Sequence, residues 1–328
     1  MEKVKILLSQ LLPLLKDNTL KTGDPLGIKT VYWTDWAKDF NLPRRGETII
    51  LTGRMYQMFP YITQATSLLA STERFLSRKV LGGIIRRGSK LVGEKAIVWG
   101  ARKEEDLIAK SERTLCGIVK ALLAIGLQPA YLYEDEPYSG ALLYDLGLDE
   151  FLPGHINKVY RLLKERGAKE VIGVDPHTVL MLKEVYPRYI SDYDLKVRHY
   201  LEVLAENENE LRKKQKGKVE GNFVIHDSCV MARKLGFTEP QRRVLESLGG
   251  TVLEPENTKL DTLCCGGPIE YAFPDLTDKV SRNRMDELVK VSTDIAVPCP
   301  ICLLNLGTFE QELGVKVSDV GELIGRAF

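Results

Sequence analysis

Five of the six cysteines lie in the last hundred residues of the chain, at spacings that could hold a metal. They are Cys229, the adjacent Cys264 and Cys265, and then Cys299 and Cys302 in the segment VPCPIC. Between Cys229 and the adjacent pair lie 34 residues, and 33 more separate the pair from Cys299, which is too wide for a zinc finger. Thiolates are soft ligands that select zinc, copper(I) or iron–sulfur clusters. The pattern therefore indicates a metal centre.

The number of thiols favours an iron–sulfur site over zinc. Structural zinc takes four ligands in a tetrahedron, and two adjacent cysteines rarely reach one metal without strain. Five thiolates exceed what zinc or a cubane cluster uses. The surplus predicts either an unusual multi-iron cluster or a cubane with one spare reactive thiol. Disulfides are disfavoured because the sequence shows no secretory signal.

The segments around the cysteines predict how they are positioned. Cys229 follows the strand-like run NFVIHD, and Cys299 follows the apolar run DIAV. Pro300 suits the first turn of a helix, and Gly266, without a Cβ, lets the backbone approach a bulky ligand. We therefore expect the thiols to converge at the carboxyl edge of a parallel sheet, where open α/β folds bind ligands.

Three motifs give the chain a family resemblance over roughly residues 220–310. They are HDSC-x3-R, from His226 to Arg233, then LCCGGP, then CPIC. Together they resemble the cysteine-rich CCG domain of heterodisulfide reductase catalytic subunits and of glycolate oxidase, lactate-utilisation and anaerobic glycerol-3-phosphate dehydrogenase iron–sulfur subunits. Ser228 stands where that family usually has proline. The resemblance implies one noncubane [4Fe-4S] cluster held by Cys229, Cys264, Cys265, Cys299 and Cys302.

The first half of the chain resembles a second copy of this domain without its cysteines. Segments 47–57, 134–140 and 169–182 parallel the three motifs, and the spacing between the last two survives as 35 residues against 33. The positions of the five cysteines are taken by Arg54, Tyr138, Ser139, Asp175 and Thr178. None of these is an iron–sulfur ligand, so we expect no cluster there. Asp175 and His177 could bind zinc, although the inherited turn explains them without a metal.

Strand-like and helix-like segments alternate along the chain, which predicts an α/β fold of two pseudo-symmetric, Rossmann-like domains with parallel sheets. Strands are predicted near 48–53, 96–100, 129–134, 170–175, 222–227, 250–255 and 294–299. Helices are predicted near 104–125, 155–167, 177–184, 239–248, 278–291 and 300–306. We expect a helical N-terminal segment at 1–44, a degenerate first domain at 45–205 and the cysteine-bearing domain at 206–328. The charged run 206–222 is predicted to be a helix end and linker.

Composition excludes several classes of protein. The net charge of +1 gives no electrostatic footprint for nucleic acid, and no apolar run is long enough to span a bilayer.

The segment VKILLSQLLPLL lacks a signal-peptide cleavage site, and its apolar positions 4, 7, 8, 11 and 15 keep helical spacing. This stripe predicts a helix packed on the protein's own core, with docking on a partner or membrane surface as the alternative. A cytoplasmic location is expected, or a peripheral one on the cytoplasmic face of the membrane through a partner.

Three further side chains are candidates for catalysis. His226 could orient a ligand or shuttle a proton, with a structural hydrogen bond as the alternative. Arg233 could bind the cluster environment or an anionic substrate, or form a surface salt bridge. Arg54 could anchor an anionic or quinone-like substrate, or fill the vacated volume. Cys116 lies on an amphipathic segment and is expected to be an inert thiol.

No ferredoxin-type cysteine run accompanies the five thiols. The resemblance therefore implies a hetero-oligomer with a flavoprotein or a ferredoxin-like iron–sulfur subunit. The expected function is an oxidoreductase subunit that moves electrons between this partner and a disulfide, quinone or carrier. Direct thiol–disulfide chemistry on a small molecule is one alternative. A non-catalytic assembly subunit with a structural cluster or zinc is another.

Overall fold

Two parallel β-sheets form the frame of the molecule. The structure is a computed structural model that describes residues 12–13, 15–28, 34–63, 99–268 and 273–328. Its strands are β1 (Thr48–Leu51), β2 (Glu170–Gly173), β3 (Lys196–His199), β4 (Asn222–Ile225), β5 (Thr251–Leu253), β6 (Asp294–Val297) and β7 (Lys316–Asp319). The predicted α/β class is confirmed.

The two sheets repeat the same strand order. The first runs β1-β2-β3, with Ala130 bridging Ile49 on the outer side of β1. The second runs β5-β4-β6-β7, so that β5 occupies the place of Ala130. All pairs are parallel, with Ile50 opposite Ile172 in one sheet and Val224 opposite Ile295 in the other. The internal repeat seen in the sequence is thus a repeat of the fold.

Strands β1, β4 and β6 are apolar after their first residue, as is typical of strands covered on both faces. Segments TIIL, NFVI and DIAV bury all but their first residue. Helices supply the cover. The described helices include residues 15–22 and 55–63, Glu105–Ala124, Ala141–Asp145, Leu152–Glu165, Pro176–Leu180, Tyr200–Glu206, Glu208–Lys214, Pro240–Ser247, Pro274–Leu288, Pro300–Gly307, Glu310–Leu313 and Val320–Gly325, with π-helical turns at Met181–Val185 and Val230–Lys234.

Most predicted elements lie where the sequence placed them, with several differences. The strand expected near 129–134 is a single bridge at Ala130, because Pro129 has no N–H to donate and Tyr133–Asp135 turns into a 3-10 helix. The short strands β3 and β7 and the helices that follow them were not predicted. The charged run contains the helix Glu208–Lys214, whose Leu211 is buried.

Two expectations fall wholly or partly outside the described residues. Of the strand expected near 96–100, only residues 99 and 100 are described, and they are helical. Of the N-terminal apolar stripe, only Leu15 is described, and it is buried. Among the helices that the structure describes, none is both long and apolar enough to cross a membrane.

The two halves of the chain exchange their last helices. Tyr200–Glu206, which follows β3, packs on Pro240–Ser247 of the second half, and Val320–Gly325, which follows β7, packs on Glu105–Ala124 of the first. One hydrophobic core continues across the boundary. The exchange therefore holds the carboxyl edges of the two sheets in a fixed position relative to each other. The domain limits 1–44, 45–205 and 206–328 stay predictions.

Glycines allow the exchanged C-terminal helix to touch its partner backbone to backbone. A Cβ on Gly117 would lie 2.2 Å from the carbonyl oxygen of Gly321 and 2.9 Å from the Cα of Gly325. Neither backbone atom can move without displacing its helix. Gly117 is therefore required by packing, since a helix interior would otherwise favour alanine.

We expect Gly117→Ala to destabilise the protein by about 2 kcal/mol, because overpacking at this crossing outweighs the gain in helix propensity. The matched control is Gly154→Ala in the helix Leu152–Glu165, where a Cβ would meet nothing within 4 Å. This control should hold or slightly raise stability. Chemical denaturation of both variants measures the difference, and equal stabilisation by the two would contradict a backbone-to-backbone crossing.

Candidate metal centre

The five C-terminal thiols converge at the carboxyl ends of three neighbouring strands. Cys229 follows β4, Cys299 follows β6, and the pair Cys264 and Cys265 lies in the loop after β5. These strands are adjacent in the order β5-β4-β6, so their carboxyl ends meet at one edge. Cys299 is the N-cap of the helix Pro300–Gly307, whose first turn carries Cys302. The sheet register thus assembles residues from distant parts of the chain.

The thiols contact one another in a continuous series. Hydrogen-bonding reach links Cys229 to Cys264, Cys264 to Cys265, Cys265 to Cys302, and Cys302 to Cys299. Three of the side chains are buried, while Cys229 and Cys264 are half-buried. Such a series of soft donors fits a multi-iron cluster better than a single tetrahedral ion.

The contacts within the series shift the pKa values of neighbouring thiols in opposite directions. Hydrogen bonds from Cys229 and Cys265 lower the pKa of the Cys264 thiol, and the same contact with Cys264, together with burial, raises the pKa of Cys229. The backbone N–H of Gly266 also donates to the sulfur of Cys264 at 3.3 Å. Because metals bind the thiolate form, loading this site must release protons from the neutral members.

Polar side chains hold the loop that carries the adjacent cysteines. Ser281 donates to the carbonyl of Cys265 at 2.7 Å, and Asn305 donates to the same oxygen at 3.3 Å. Gly266 has φ +89°, and a Cβ there would lie 2.9 Å from the carbonyl oxygen of Thr277. The glycine after the pair is therefore needed both for backbone conformation and for close packing on the helix Pro274–Leu288.

His226 lies beside the thiols and is held from behind by a buried arginine. Arg284 donates from Nε to Nδ1 of His226 at 3.0 Å, and is itself held by Glu287 at 2.7 Å. Burial, with the charge of Arg284, lowers the pKa of His226 to about 3, so the imidazole is neutral. One of its ring nitrogens and the sulfurs of Cys265 and Cys302 lie within 4.8 Å of one another.

Arg233 lies outside the thiol series. Its side chain is exposed and donates to the carbonyls of Leu260 at 3.2 Å and Thr262 at 2.7 Å. It thus ties the helical turn after Cys229 to the loop that leads to the cysteine pair. A role in positioning that loop fits these contacts, and catalysis by Arg233 stays a prediction.

In the first half, hydrogen-bonded side chains occupy the positions that correspond to the cysteines. Asp175 caps the helix Pro176–Leu180 by accepting from the backbone N–H groups of His177 and Thr178, at the position where Cys299 caps its own helix. Thr178 donates to Ser139 at 3.2 Å, and these two residues correspond to Cys302 and Cys265. Where the second half has two cysteines, the first half therefore has two hydroxyl side chains that bind each other.

Arg54 belongs to this filled region and is buried. Its guanidinium lies 3.6 Å from the fully buried carboxylate of Asp24 and donates to the carbonyl of Glu136. Its backbone is left-handed, with φ +60°, unlike the right-handed backbone of Cys229. These contacts support the interpretation of Arg54 as structural.

A cavity of about 510 Å³ lies between the two halves, against the thiols. Four of the five cysteines line it, all except Cys264, and so does His177 from the first half. Burial opposes protonation of His177, yet its hydrogen bond with Cys299 and the charges of Cys299 and Asp175 raise its pKa to about 9. Leu180, Ile301 and Pro268 are among the apolar lining residues, and the charged ones are Asp145, Glu184, Arg188 and Lys234.

Some of the residues predicted from the sequence line the cavity and others do not. Of the degenerate-site residues, only His177 lines the cavity, while Arg54 does not. Sequence reasoning considered His177 as a weak zinc ligand and as one of the first-half residues that face the cluster, but it missed the contact of His177 with Cys299. It also missed Arg284, although Thr277, Ser281 and Arg284 form a polar stripe on one helix face. Cys116 lies away from the site, and burial raises the pKa of its thiol, as expected for an inert cysteine.

Comparison with known families agrees with this geometry. Residues 223–307 match the model of the cysteine-rich domain, CCG. This segment of the chain is therefore similar to the cysteine-rich domain, and the resemblance drawn from the three motifs is confirmed. The matched residues run from β4 to the end of the helix that bears Cys302, and thus include all five thiols.

Curated relatives extend the similarity beyond this domain. The chain is 29% identical over 224 residues to EtfAB:quinone oxidoreductase of Syntrophomonas wolfei, a match that covers 64% of this chain and 31% of the relative. It is 26% identical over 223 residues to one of the subunits of the dihydromethanophenazine:CoB–CoM heterodisulfide reductase of Methanosarcina acetivorans, covering 63% and 53%. It is 32% identical over 111 residues to lactate utilization protein A of Bacillus cereus, covering 32% and 45%. The chain thus matches a third to about half of each relative.

Arg54→Ala should lower stability by about 3 kcal/mol, because it leaves the buried carboxylate of Asp24 without its cation. The control is Arg44→Ala, which removes an exposed pair with Glu134 and should cost about 0.5 kcal/mol. Thermal melting and iron content of both variants are the measurements. If Arg54→Ala kept the stability of the Arg44 control and lost only activity, Arg54 would be a substrate anchor and not structural.

Proposed function

We propose that this chain is the iron–sulfur subunit of a hetero-oligomeric oxidoreductase. The observation that carries the proposal is the continuous series of five thiols beside a cavity between the two halves. One cluster held by Cys229, Cys264, Cys265, Cys299 and Cys302 would supply one-electron chemistry at this edge of the sheet. A five-thiolate set supports the noncubane [4Fe-4S] type, since a cubane has four iron corners to ligate.

The chain's own residues prepare the site for electron transfer. Burial of three thiols and of His226 excludes water from one side, while the cavity exposes the other. His177 faces Cys299 from the opposite half and can stabilise negative charge on that sulfur. An acceptor in the cavity would therefore contact both the cluster side and the first half.

The likeness to subunits of larger enzymes supports a proposal for the partners. One named relative is a quinone oxidoreductase for EtfAB and another belongs to a heterodisulfide reductase. Electrons would pass between a flavoprotein or iron–sulfur partner and a quinone, carrier or disulfide. Such a complex would be cytoplasmic or peripheral on the cytoplasmic face of the membrane. Purification of the native complex under anaerobic conditions would identify the partner.

A second candidate function is thiol–disulfide chemistry on a small molecule at the site itself. The cavity favours it, because four of the thiols line a volume large enough for a small ligand. Reduction of small disulfides by the dye-reduced protein, without any partner, would support it. A structural cluster or zinc in an assembly subunit is the remaining alternative, and metal analysis separates it from the first two.

Anaerobically purified protein should contain about four irons per chain, as expected for a [4Fe-4S] cluster. Cys299→Ala should lose this iron, because an unligated iron site destabilises the cluster. Cys116→Ala removes a thiol outside the series, and Ser139→Ala alters the degenerate site, so both should keep the wild-type iron content. Iron is measured by mass spectrometry together with zinc.

Stoichiometric zinc without iron in the wild-type protein would contradict the proposed function. Loss of iron in the Ser139→Ala variant would show instead that the first half still contributes to metal binding.

A further inference from the structure

The tautomer of the His226 imidazole is fixed by the neighbour of its Nδ1 atom. Nδ1 faces Nε of Arg284 at 3.0 Å in a fully buried setting. The Nε of an arginine carries a hydrogen and has no lone pair, so it can only donate. Nδ1 must therefore accept, because two N–H groups cannot face each other at that distance.

The orientation of Arg284 is itself fixed. Its three nitrogens are directed at separate acceptors: Nε at His226, Nη1 at Glu287 and the carbonyl of Asn257, and Nη2 at the hydroxyl of Thr262. Its side chain is completely buried. A planar guanidinium held at three points cannot turn its Nε away from the histidine.

With Nδ1 accepting, the proton of the neutral imidazole lies on Nε2. Among the described residues, Nε2 has no hydrogen-bond partner although it is buried. A ring nitrogen of His226 lies within 4.8 Å of the sulfurs of Cys265 and Cys302, and Nδ1 is already occupied by Arg284. A protonated Nε2 has no lone pair for a metal, so it can donate to thiolate or sulfide but cannot ligate iron.

We propose that His226 donates a hydrogen bond from Nε2 to the Cys265–Cys302 side of the cluster, and that Arg284 is the positioning residue that fixes this tautomer. The proposal rests on the proposed function, since it needs a cluster at the five thiols. A hydrogen bond to a sulfur ligand stabilises the more negatively charged, reduced state and so raises the reduction potential. Arg284 thereby acts on the potential without touching the cluster.

The first test compares two substitutions at one position. His226→Phe keeps a flat aromatic ring and removes the donor, so iron should stay bound while the midpoint potential falls. The expected tenfold change in the ratio of oxidised to reduced cluster corresponds to about 59 mV for one electron. His226→Gln should restore most of the potential, because its amide can accept from Arg284 and donate to sulfur. The control is His155→Phe, a buried histidine that contacts the carbonyl of Tyr138 and should leave the potential unchanged.

The second test uses only the wild-type protein. In the paramagnetic state of the cluster, electron–nuclear double resonance of protein labelled with ¹⁵N-histidine should show a weak nitrogen coupling and a proton coupling that disappears in D₂O. A strong nitrogen coupling would make His226 an iron ligand and overturn the proposal. An unchanged potential in the folded, iron-loaded His226→Phe variant would also overturn it. Wild-type protein without iron would instead overturn the proposed function.

Discussion

The parallel register of β4 with β5 and β6 is the constraint on which the candidate site depends. It places the carboxyl ends of three strands side by side, and each is followed by a cysteine-bearing segment. No local stretch of sequence could supply five thiols at one point, because adjacent side chains of a strand or helix diverge. The close contact of Gly117 with the C-terminal helix then fixes this edge against the first half, so that the cavity has two walls.

The same arrangement of strands occurs in both halves, with different side chains at the carboxyl edge of each sheet. In the second half, the Cys299 side chain makes no capping hydrogen bond to its helix, while in the first half the Asp175 side chain accepts from the backbone N–H groups of His177 and Thr178. Thr178 and Ser139 close the remaining gap with one hydrogen bond. The first half thus keeps the same fold with polar side chains that satisfy one another at the positions of the cysteines. His177 is the exception, since it faces the intact site.

The cysteine series could be predicted because residue type and spacing are visible in the sequence itself. Strands β3 and β7 could not, because KVRH and KVSD are only four residues long and each contains a single apolar residue. Arg284 was missed because its partner His226 is 58 residues away, and side-chain contacts at that separation leave no local pattern. Arg54 does not line the cavity and is held instead by Asp24 and Glu136, and neither these distant contacts nor its left-handed backbone is revealed by a motif alignment.

Iron X-ray absorption of the anaerobically isolated protein tests the central claim most directly. The account predicts iron bound by sulfur, with iron–iron scattering from a multi-iron cluster and more thiolate sulfur per iron than a cubane has, since five cysteines would serve about four irons. A zinc edge with four sulfur neighbours at about 2.3 Å and no iron signal would contradict it.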